Sequence, residues 1–231
     1  MSVNLRLDWC SYEAAKYAVE HWHYSRSLPT PPLLKIGVWE EGEFIGCVMF
    51  SRGASSNLLK PYNLKWTEGC ELTRIALNTH RTPVSRIVRI AIDMLRKSNP
   101  GLQLIISFAD PNHGHIGSIY QAMNWIYTGT STPNMEYYDR AGKRWHSRQV
   151  SKRGFISLYG EVRRCPKPSD CQIIRTEGKH RYLYPLNNDM RNRILSLQQS
   201  YPKRATSENS DTSRLQREKG GAAPTVALNE S

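Results

Sequence analysis

The chain has 231 residues, a formal net charge of +12 and 39% hydrophobic residues. This length is sufficient for one sizeable domain with a small appendage. The five cysteines are an odd set without a compact spacing, which argues against a disulfide scaffold. No window has the length and apolar purity of a transmembrane helix, and the first residues lack a signal-peptide core, so we expect a soluble intracellular protein without membrane contact. The excess of positive charge indicates a polyanionic partner.

The first third of the chain predicts a helix, a hairpin and a long loop. Ser11 is a candidate cap for a helix from Tyr12 to about His21. Two runs rich in β-branched and aromatic residues, Leu33–Glu40 and Phe44–Arg52, predict the hairpin. The loop of residues 53–67 interleaves basic and aromatic side chains, which suits contacts with phosphates and bases. The candidate DNA contacts of this loop are Lys60 and Lys65.

A strand, a helix and a second strand are predicted next. Cys70–Leu77 predicts the first strand. Thr82 and Pro83 mark the beginning of the helix, where unpaired backbone amides favour a phosphate group. The unbroken apolar run Leu102–Phe108 predicts a strand that is buried on both faces. Neither a Walker loop nor a dinucleotide-binding fingerprint occurs in the chain.

Reactive side chains are concentrated directly after this buried strand. The sequence Asp-Pro-Asn-His at residues 110–113 combines a carboxylate, a rigid corner, an amide and a titratable ring. Ligands usually bind at such carboxyl ends of strands in α/β sheets, although an ordinary turn is the alternative interpretation. His23 and Tyr24, after the first helix, are candidates to line a pocket, or else a solvated and a core residue. Helical spacing from Ile116 to Tyr127 predicts a helix after the turn.

The last part of the chain is strongly basic. Segments Asn134–Asp139 and Trp145–Leu158 predict strands about a turn at residues 139–142. From this turn onward, Lys and Arg outnumber acids and are interleaved with aromatic residues such as Tyr182, a pattern typical of nucleic-acid binding. The candidate DNA-binding residues in this part are Arg140, Lys143, Arg144, Arg148, Lys152 and Arg153.

The order of these elements resembles the acetyltransferase (GNAT) fold. The resemblance implies an α+β chain with a mixed, mostly antiparallel central sheet flanked by helices, and here with a basic C-terminal extension. It divides the chain into a GNAT-like catalytic domain of residues 1–160, a basic extension of residues 161–200 that contacts DNA, and a tail of residues 201–231, whose polar composition indicates disorder.

The same resemblance implies a coenzyme A donor, acetyl-CoA. The start of the second predicted helix would bind the pyrophosphate, although the glycines of the usual motif are absent. Tyr120 and Ser118 would face the thioester. The residues matched to the coenzyme A site are Arg81, Thr82, Val84, Ser85 and Arg86.

Four strings of the chain resemble the Mom family of phage Mu, and they are long enough to suggest a close match. They are WHYSRSLPTPPLLKIGVWEEGEFIGCVMFSRGA, CELTRIAL, RTPVSRI and SFADPNHGHIGSIYQA. The resemblance implies a transferase that adds a carbamoylmethyl (acetamido) group to the exocyclic amine of adenine in phage DNA, which then escapes host restriction enzymes. It further implies double-stranded DNA as the partner and the cytoplasm of the infected bacterial host as the location.

Candidate roles follow from this implied chemistry. Asp110 would orient or deprotonate the amine, Asn112 and His113 would bind the base, and His23 and Tyr24 would form the wall or act as acid and base. A target inside a duplex must also be flipped out. Acetyl transfer joins an amine to the carbonyl carbon, whereas the carbamoylmethyl product joins it to the methyl carbon, so a redox metal such as iron is also considered. Its candidate ligands are His23, Tyr24, Asp110, His113 and His115.

Three other functions compete with this interpretation. An ordinary GNAT N-acetyltransferase for a small-molecule or protein amine explains the fold but not the basic C-terminal part. A non-catalytic DNA-binding protein explains the charge but leaves the residues after the buried strand without a purpose. A methyltransferase is disfavoured, because no Gly-rich cofactor loop follows an early strand.

Overall fold

The computed structural model describes residues 3–203, apart from residues 30, 54, 56 and 159 and the side chains of residues 146, 148 and 158. The predicted tail therefore lies outside the described residues from residue 204 onward, and so does the side chain of Arg148. The chain through Tyr201 is one compact unit. No helix in the described part of the chain is both long and apolar enough to cross a membrane.

Seven strands form the central sheet. They are β1 (Leu5–Trp9), β2 (Leu33–Glu40), β3 (Glu43–Ser51), β4 (Gly69–Leu77), β5 (Leu104–Ala109), β6 (Ile126–Thr130) and β12 (His180–Pro185). The spatial order is β1-β2-β3-β4-β5-β12-β6, and every neighbouring pair is antiparallel except β4 and β5. The predicted hairpin and the two predicted strands of the first half are confirmed.

Helices cover both faces of this sheet. They are α1 (Tyr12–Trp22), α2 (Val84–Ser98), α3 (Ser118–Ala122) and α4 (Asn188–Leu195). Apolar residues of α1 pack on β3 and β4 on one face, whereas those of α2 form the main core on the other. Ser11 caps α1 as predicted, because its Oγ accepts a hydrogen bond from the amide of Ala14 at 3.1 Å. The predicted α+β class, with a mixed and mostly antiparallel sheet, is confirmed.

Two predictions about aromatic residues are wrong. The helix predicted over Ile116–Tyr127 is limited to α3, because Asn124 adopts a left-handed conformation (φ 56°) and Tyr127 lies in β6. Tyr182, predicted on the basic surface, is fully buried in β12. It is buried because β12 inserts between β5 and the edge strand β6, a long-range pairing without a local sequence signal.

The sheet opens between β4 and β5. Their parallel pairing ends at Leu72 and Ser107, although β4 continues to Leu77 and β5 to Ala109. Beyond this point β5 pairs only with β12, and β4 only with β3. Such an opening exposes strand ends and backbone groups that the sheet would otherwise pair, and it provides room for a ligand.

Residues 131–179, which we call the arm, connect β6 to β12 and carry the two small sheets. One sheet contains β7 (Met135–Tyr138), β8 (Arg144–His146) and β11 (Gln172–Arg175), and the other contains β9 (Phe155–Leu158) and β10 (Glu161–Arg164). The single strand predicted over Trp145–Leu158 is therefore wrong. It is interrupted by a 3-10 turn at Ser147–Gln149 and by a turn at Gly154, whose φ of 75° suits glycine.

Candidate active site

An aromatic cluster lies at the carboxyl end of β5. The ring of Tyr24 lies 4.6 Å from the ring of His113, 5.0 Å from that of His115 and 4.3 Å from that of His23, measured between centroids. The chain segment after α1 thus meets the turn after β5, and the four predicted residues come together. The Tyr24 side chain remains about half exposed, so a ligand can reach it.

His23 is held in its neutral form. Burial, together with the positive charge of Arg74 and the nearby His115 and His113, lowers the pKa of His23 to about 4. Its Nδ1 accepts a hydrogen bond from the backbone amide of Ser25, so the proton of the neutral ring lies on Nε2. At neutral pH, His23 is therefore a hydrogen-bond donor through Nε2.

Asp110 is already engaged in several contacts. Its Oδ1 accepts hydrogen bonds from the amide and the side chain of Asn112, at 3.1 and 2.9 Å. Its Oδ2 lies 3.1 Å from the Lys179 ammonium and 3.7 Å from Nδ1 of His113. Burial pushes the pKa of Asp110 upward, but the contacts with Asn112 and Lys179 outweigh it and lower the pKa. Asp110 is thus an ionised hydrogen-bond acceptor with spare lone pairs.

A second carboxylate, Glu71 on β4, was missed by the sequence analysis. Its neighbours along the strand, Cys70 and Leu72, point into the main core, whereas Glu71 projects to the face that carries Arg74. Burial raises the pKa of Glu71 to about 7, although Arg74 and Lys179 act in the opposite direction. No hydrogen bond to its carboxylate occurs within the described part of the chain. The available signal was a single acid inside a strand with several apolar residues.

Tyr120 lies at the apex of the sheet opening, on the core side. Its hydroxyl is 2.7 Å from Oγ of Ser107, which is also 2.8 Å from the carbonyl oxygen of Leu72. This hydroxyl network satisfies the backbone where the β4–β5 pairing ends. Burial raises the pKa of Tyr120 to about 12, so its hydroxyl keeps its proton. Ser118, by contrast, is exposed at the start of α3.

The predicted phosphate site at the start of α2 is partly occupied by the protein itself. Glu40 accepts hydrogen bonds from the amide of Arg81 and from both the amide and hydroxyl of Thr82, at 2.6–2.8 Å. These bonds, that of the Thr82 hydroxyl above all, lower the pKa of Glu40 to about 2. The Arg81 guanidinium pairs with Glu41 at 3.0 Å. The remaining candidates for phosphate binding are Val84, Ser85 and Arg86.

The arm begins and ends next to Asp110. Ser131 and Lys179 exchange hydrogen bonds where the two arm ends cross, and Gly178 packs so tightly on Ser131 that a Cβ would overlap its carbonyl oxygen. Beside them, the amide of Glu177 donates to Oδ1 of Asn112 at 3.4 Å. We call this crossing the joint. It couples the arm to the turn that carries Asp110.

The predicted DNA contacts lie at the surface. Residues 131–179 contain eleven Lys and Arg against five Asp and Glu. Of these cations, Lys143 lies over the Trp145 ring at 4.3 Å and Arg144 pairs with Glu136 at 3.1 Å. The other predicted contacts with described side chains are exposed: Lys60, Lys65, Arg140, Lys152 and Arg153.

The predicted metal ligands do not form a metal site. Within the described residues, no group of three or more His, Cys, Asp and Glu side chains is arranged to hold a metal ion. His113 and Asp110 contact each other, and His23 and His115 contact Tyr24, but the nitrogen and oxygen atoms do not converge. The geometry gives no support to the expectation of iron.

A family model described as the Mom protein family matches residues 4–203. The chain belongs to the Mom protein family. The methylcarbamoylase Mom of Escherichia phage Mu is 26% identical over 211 residues, which cover 87% of this chain and 85% of that protein. The family resemblance is confirmed, and the relationship to the phage Mu protein is more distant than the four strings suggested.

Acetyltransferases are among the solved structures that are similar to this family member. A protein of Acinetobacter baylyi ADP1 assigned as an acetyltransferase is 11% identical, with 80% of this chain and 93% of that chain covered and a TM-score of 0.45. The aminoglycoside 6'-N-acetyltransferase of Enterococcus faecium is 9% identical, with 79% and 97% covered and a TM-score of 0.43. At TM-scores below 0.5, these likenesses carry no information on activity.

Proposed function

We propose that this protein is a transferase that adds a carbamoylmethyl group to the exocyclic amine of adenine in double-stranded DNA. The observation that carries the proposal is the Mom family match, which spans residues 4–203 and so includes both the aromatic cluster and the basic arm. The modified DNA would escape host restriction enzymes, and the protein would act in the cytoplasm of the infected bacterium.

In this proposal, one carboxylate holds the adenine amine and a second carboxylate accepts its proton. The amine is conjugated with the ring and is a poor nucleophile, so it must be held and must lose a proton as the new N–C bond forms. Asp110, ionised and positioned by Asn112 and Lys179, accepts a hydrogen bond from the amine. Glu71 accepts the proton, because its pKa of about 7 matches the working pH and its carboxylate has no hydrogen-bond partner among the described residues.

Aromatic side chains hold the flipped base. The exposed ring of Tyr24, supported by His113 and His115, offers a stacking surface beside Asp110. Asn112 and Nε2 of His23 are donors for the ring nitrogens of the base. Flipping a base requires a firm grip on the backbone, which the cations of the arm supply.

Acetyl-CoA is the proposed donor, bound with its phosphates at the start of α2. Val84 and Ser85 offer backbone amides there, and Arg86 offers an exposed guanidinium. Tyr120, protonated and hydrogen-bonded to Ser107, lies where the sheet opens toward a thioester. Joining the amine to the methyl carbon breaks a C–H bond, so this step requires a two-electron oxidant in addition to acetyl-CoA. The acetyl group contains no nitrogen, so the amide nitrogen requires a second source, an amine donor that displaces CoA at the carbonyl carbon.

Mass spectrometry of nucleosides tests the proposal. Plasmid DNA would be prepared from bacteria that express the full chain, its Asp110→Asn variant or its Asp93→Ala variant. Asn at position 110 keeps an oxygen for the Asn112 amide but lacks the charge, whereas Asp93 is an exposed acid on α2. We expect a heavier adenosine with the wild-type chain and with Asp93→Ala, and at least about a hundredfold less with Asp110→Asn.

The mass of the product distinguishes the competing functions. A carbamoylmethyl group is heavier than an acetyl group by one NH unit, so the two products are separable. Unmodified DNA in the presence of folded wild-type protein would contradict the proposal. Acetylation of small amines without DNA would instead establish the ordinary N-acetyltransferase function.

A further inference from the structure

Strands β9 and β10 form a two-stranded ribbon that belongs to neither larger sheet. Leu158 pairs with Glu161 next to the turn, and Phe155 pairs with Arg164 at the other end of the ribbon, which we call its base. A backbone hydrogen bond from Cys165 to Gly154 closes the base at 2.9 Å. All residues of β10 are exposed, so the ribbon has two surfaces that a partner can reach.

One face of the ribbon is neutralised within the protein. Side chains alternate along each strand, so Ile156, Glu161 and Arg163 share this face. The Arg163 guanidinium forms a two-pronged ion pair with the Glu161 carboxylate, at 2.7 and 3.2 Å. Ile156 is only partly exposed. The two charges on this face therefore neutralise each other.

The opposite face is apolar and positively charged. Phe155 is 50% exposed and Val162 is 72% exposed, which is unusual for neighbouring large apolar residues. Arg164 lies directly across from Phe155 and has no acidic partner within the described residues. Lys152 and Arg153, in the turn before β9, are exposed and likewise lack an acidic partner in that part of the chain.

We propose that this second face of the ribbon is a docking surface for a groove of double-stranded DNA. The charge complementarity of unpaired cations with phosphates carries the proposal, together with apolar side chains that suit sugars and base edges. A two-stranded antiparallel ribbon has the width that the major groove admits. The inference rests on the proposed function, because it names how the DNA substrate is gripped.

Adjacent arginines on opposite faces provide a matched test. Arg164→Ser and Arg163→Ser would be compared in the full chain by fluorescence anisotropy with a short labelled duplex over a series of salt concentrations. We expect Arg164→Ser to weaken binding by roughly three- to tenfold and to reduce the salt slope by about one. Arg163→Ser, which removes a neutralised cation, should change the Kd by less than about twofold.

The apolar part of the surface is tested separately. Phe155→Ser should weaken duplex binding by about threefold or more with an unchanged salt slope, because no phosphate contact is lost. Its control is Ile173→Ser, which removes a similarly exposed apolar side chain from the outer strand β11. The thermal unfolding midpoint of each variant would establish that the arm stays folded.

The outcomes separate this proposal from the proposed function. Equal losses for Arg163→Ser and Arg164→Ser, no loss in either, or equal losses for Phe155→Ser and Ile173→Ser would overturn the ribbon surface. Tighter binding of single-stranded DNA than of the duplex, lost with Phe155→Ser, would also overturn it in favour of base stacking. If the wild-type chain binds duplex through Arg164 but modifies no adenine, the ribbon surface stands and the proposed function fails.

Discussion

The end of β5 and the arm use charge in opposite ways, although Lys179 joins them. Around Asp110, burial shifts the pKa values of neighbouring groups far from their ordinary range, to about 4 for His23 and about 7 for Glu71. In the arm, the cations whose side chains the structure describes are exposed, and ion pairs offset the charge of only a few of them, such as Arg144 with Glu136.

This difference is what the proposed function requires of the two regions. Proton transfer requires groups whose pKa is adjusted by desolvation and by fixed neighbours. Binding of a polyanion requires exposed cations, whose contribution is screened by salt. Substitutions near Asp110 should therefore change the rate and its pH dependence, whereas substitutions in the arm should change affinity and its salt dependence.

Glu71→Gln should have the largest effect on the chemistry around Asp110 and no effect on DNA binding by the arm. Without a proton acceptor, the rate of adenine modification should fall by about a hundredfold at pH 7.5, while the Kd for duplex DNA stays within about twofold. The wild-type rate should rise with pH as Glu71 loses its proton near pH 7, and this step should be absent from the variant. A pH profile measured with excess DNA checks both statements.

The same substitution should raise stability. The folded-state pKa of Glu71 is higher than its ordinary value of 4.5, so the cost of ionising it in the folded protein grows from about pH 4.5 to pH 7. Glu71→Gln should increase the free energy of unfolding by about 1–3 kcal/mol at pH 8 and should leave it unchanged at pH 4. A loss of stability at pH 8 would show that the carboxylate has a structural role.

Gly178→Ala should destabilise the joint, which connects the arm to the turn that carries Asp110. Its Cβ would overlap the carbonyl oxygen of Ser131, so the two ends of the arm could not cross without a backbone shift. We expect urea unfolding to report a loss of about 1–3 kcal/mol, with reduced modification activity. Gly101→Ala is the control, because no atom lies within 4 Å of its Cβ position. Equal stability of the two variants would contradict the tight packing of the joint.

Ser107→Ala should weaken the sheet opening without touching the arm. The substitution leaves the buried Tyr120 hydroxyl and the Leu72 carbonyl without their shared partner. The expected loss is about 1–2 kcal/mol in the free energy of unfolding, with duplex affinity unchanged. Ser98→Ala, at an exposed serine that bonds only its own helix, should cost less than about 0.5 kcal/mol. A change in duplex affinity would show that the two regions are not separable.

Lys179→Met should have the smallest effect but should shift the pH profile. Lys179 lowers the pKa values of both Asp110 and Glu71, so its removal should raise both. The rise of activity with pH should move to higher pH, giving about three- to tenfold lower activity at pH 7 and little change at pH 9. Lys179→Arg should restore the wild-type profile. A uniform loss at every pH would indicate a contact with DNA instead.

The parts of the fold that local patterns describe were predictable. The hairpin of β2 and β3 shows strand-like composition on both sides of a Gly turn, and β5 is an apolar run of the right length. The position of β12 was not predictable, because strand pairing between distant segments is decided by packing and not by periodicity. The helix predicted over Ile116–Tyr127 was too long for a similar reason: helical spacing continues beyond α3, but burial of Trp125 requires the chain to turn at Asn124.

The candidate site was predictable only in its residue types. A polar cluster after a buried strand drew attention to Asp110 and His113, and an aromatic pair after α1 drew attention to Tyr24. The contact between Tyr24, after α1, and His113, after β5, is visible only in the tertiary structure. Glu71 was missed because a carboxylate becomes a candidate base only when its surroundings raise its pKa, and the surroundings of a residue are not visible in its neighbours along the chain.

The sequence by itself determined the charge of the molecule, its family, most strands of its first half and the polar turn after β5, since composition, motifs and periodicity are properties of the chain. Only the tertiary structure decided that Glu40 fills part of the predicted phosphate site, that Gly178 and Ser131 cross at the joint, and that Lys179 reaches Asp110. These features depend on contacts between distant segments, whose free energy is fixed by packing and desolvation in the folded state.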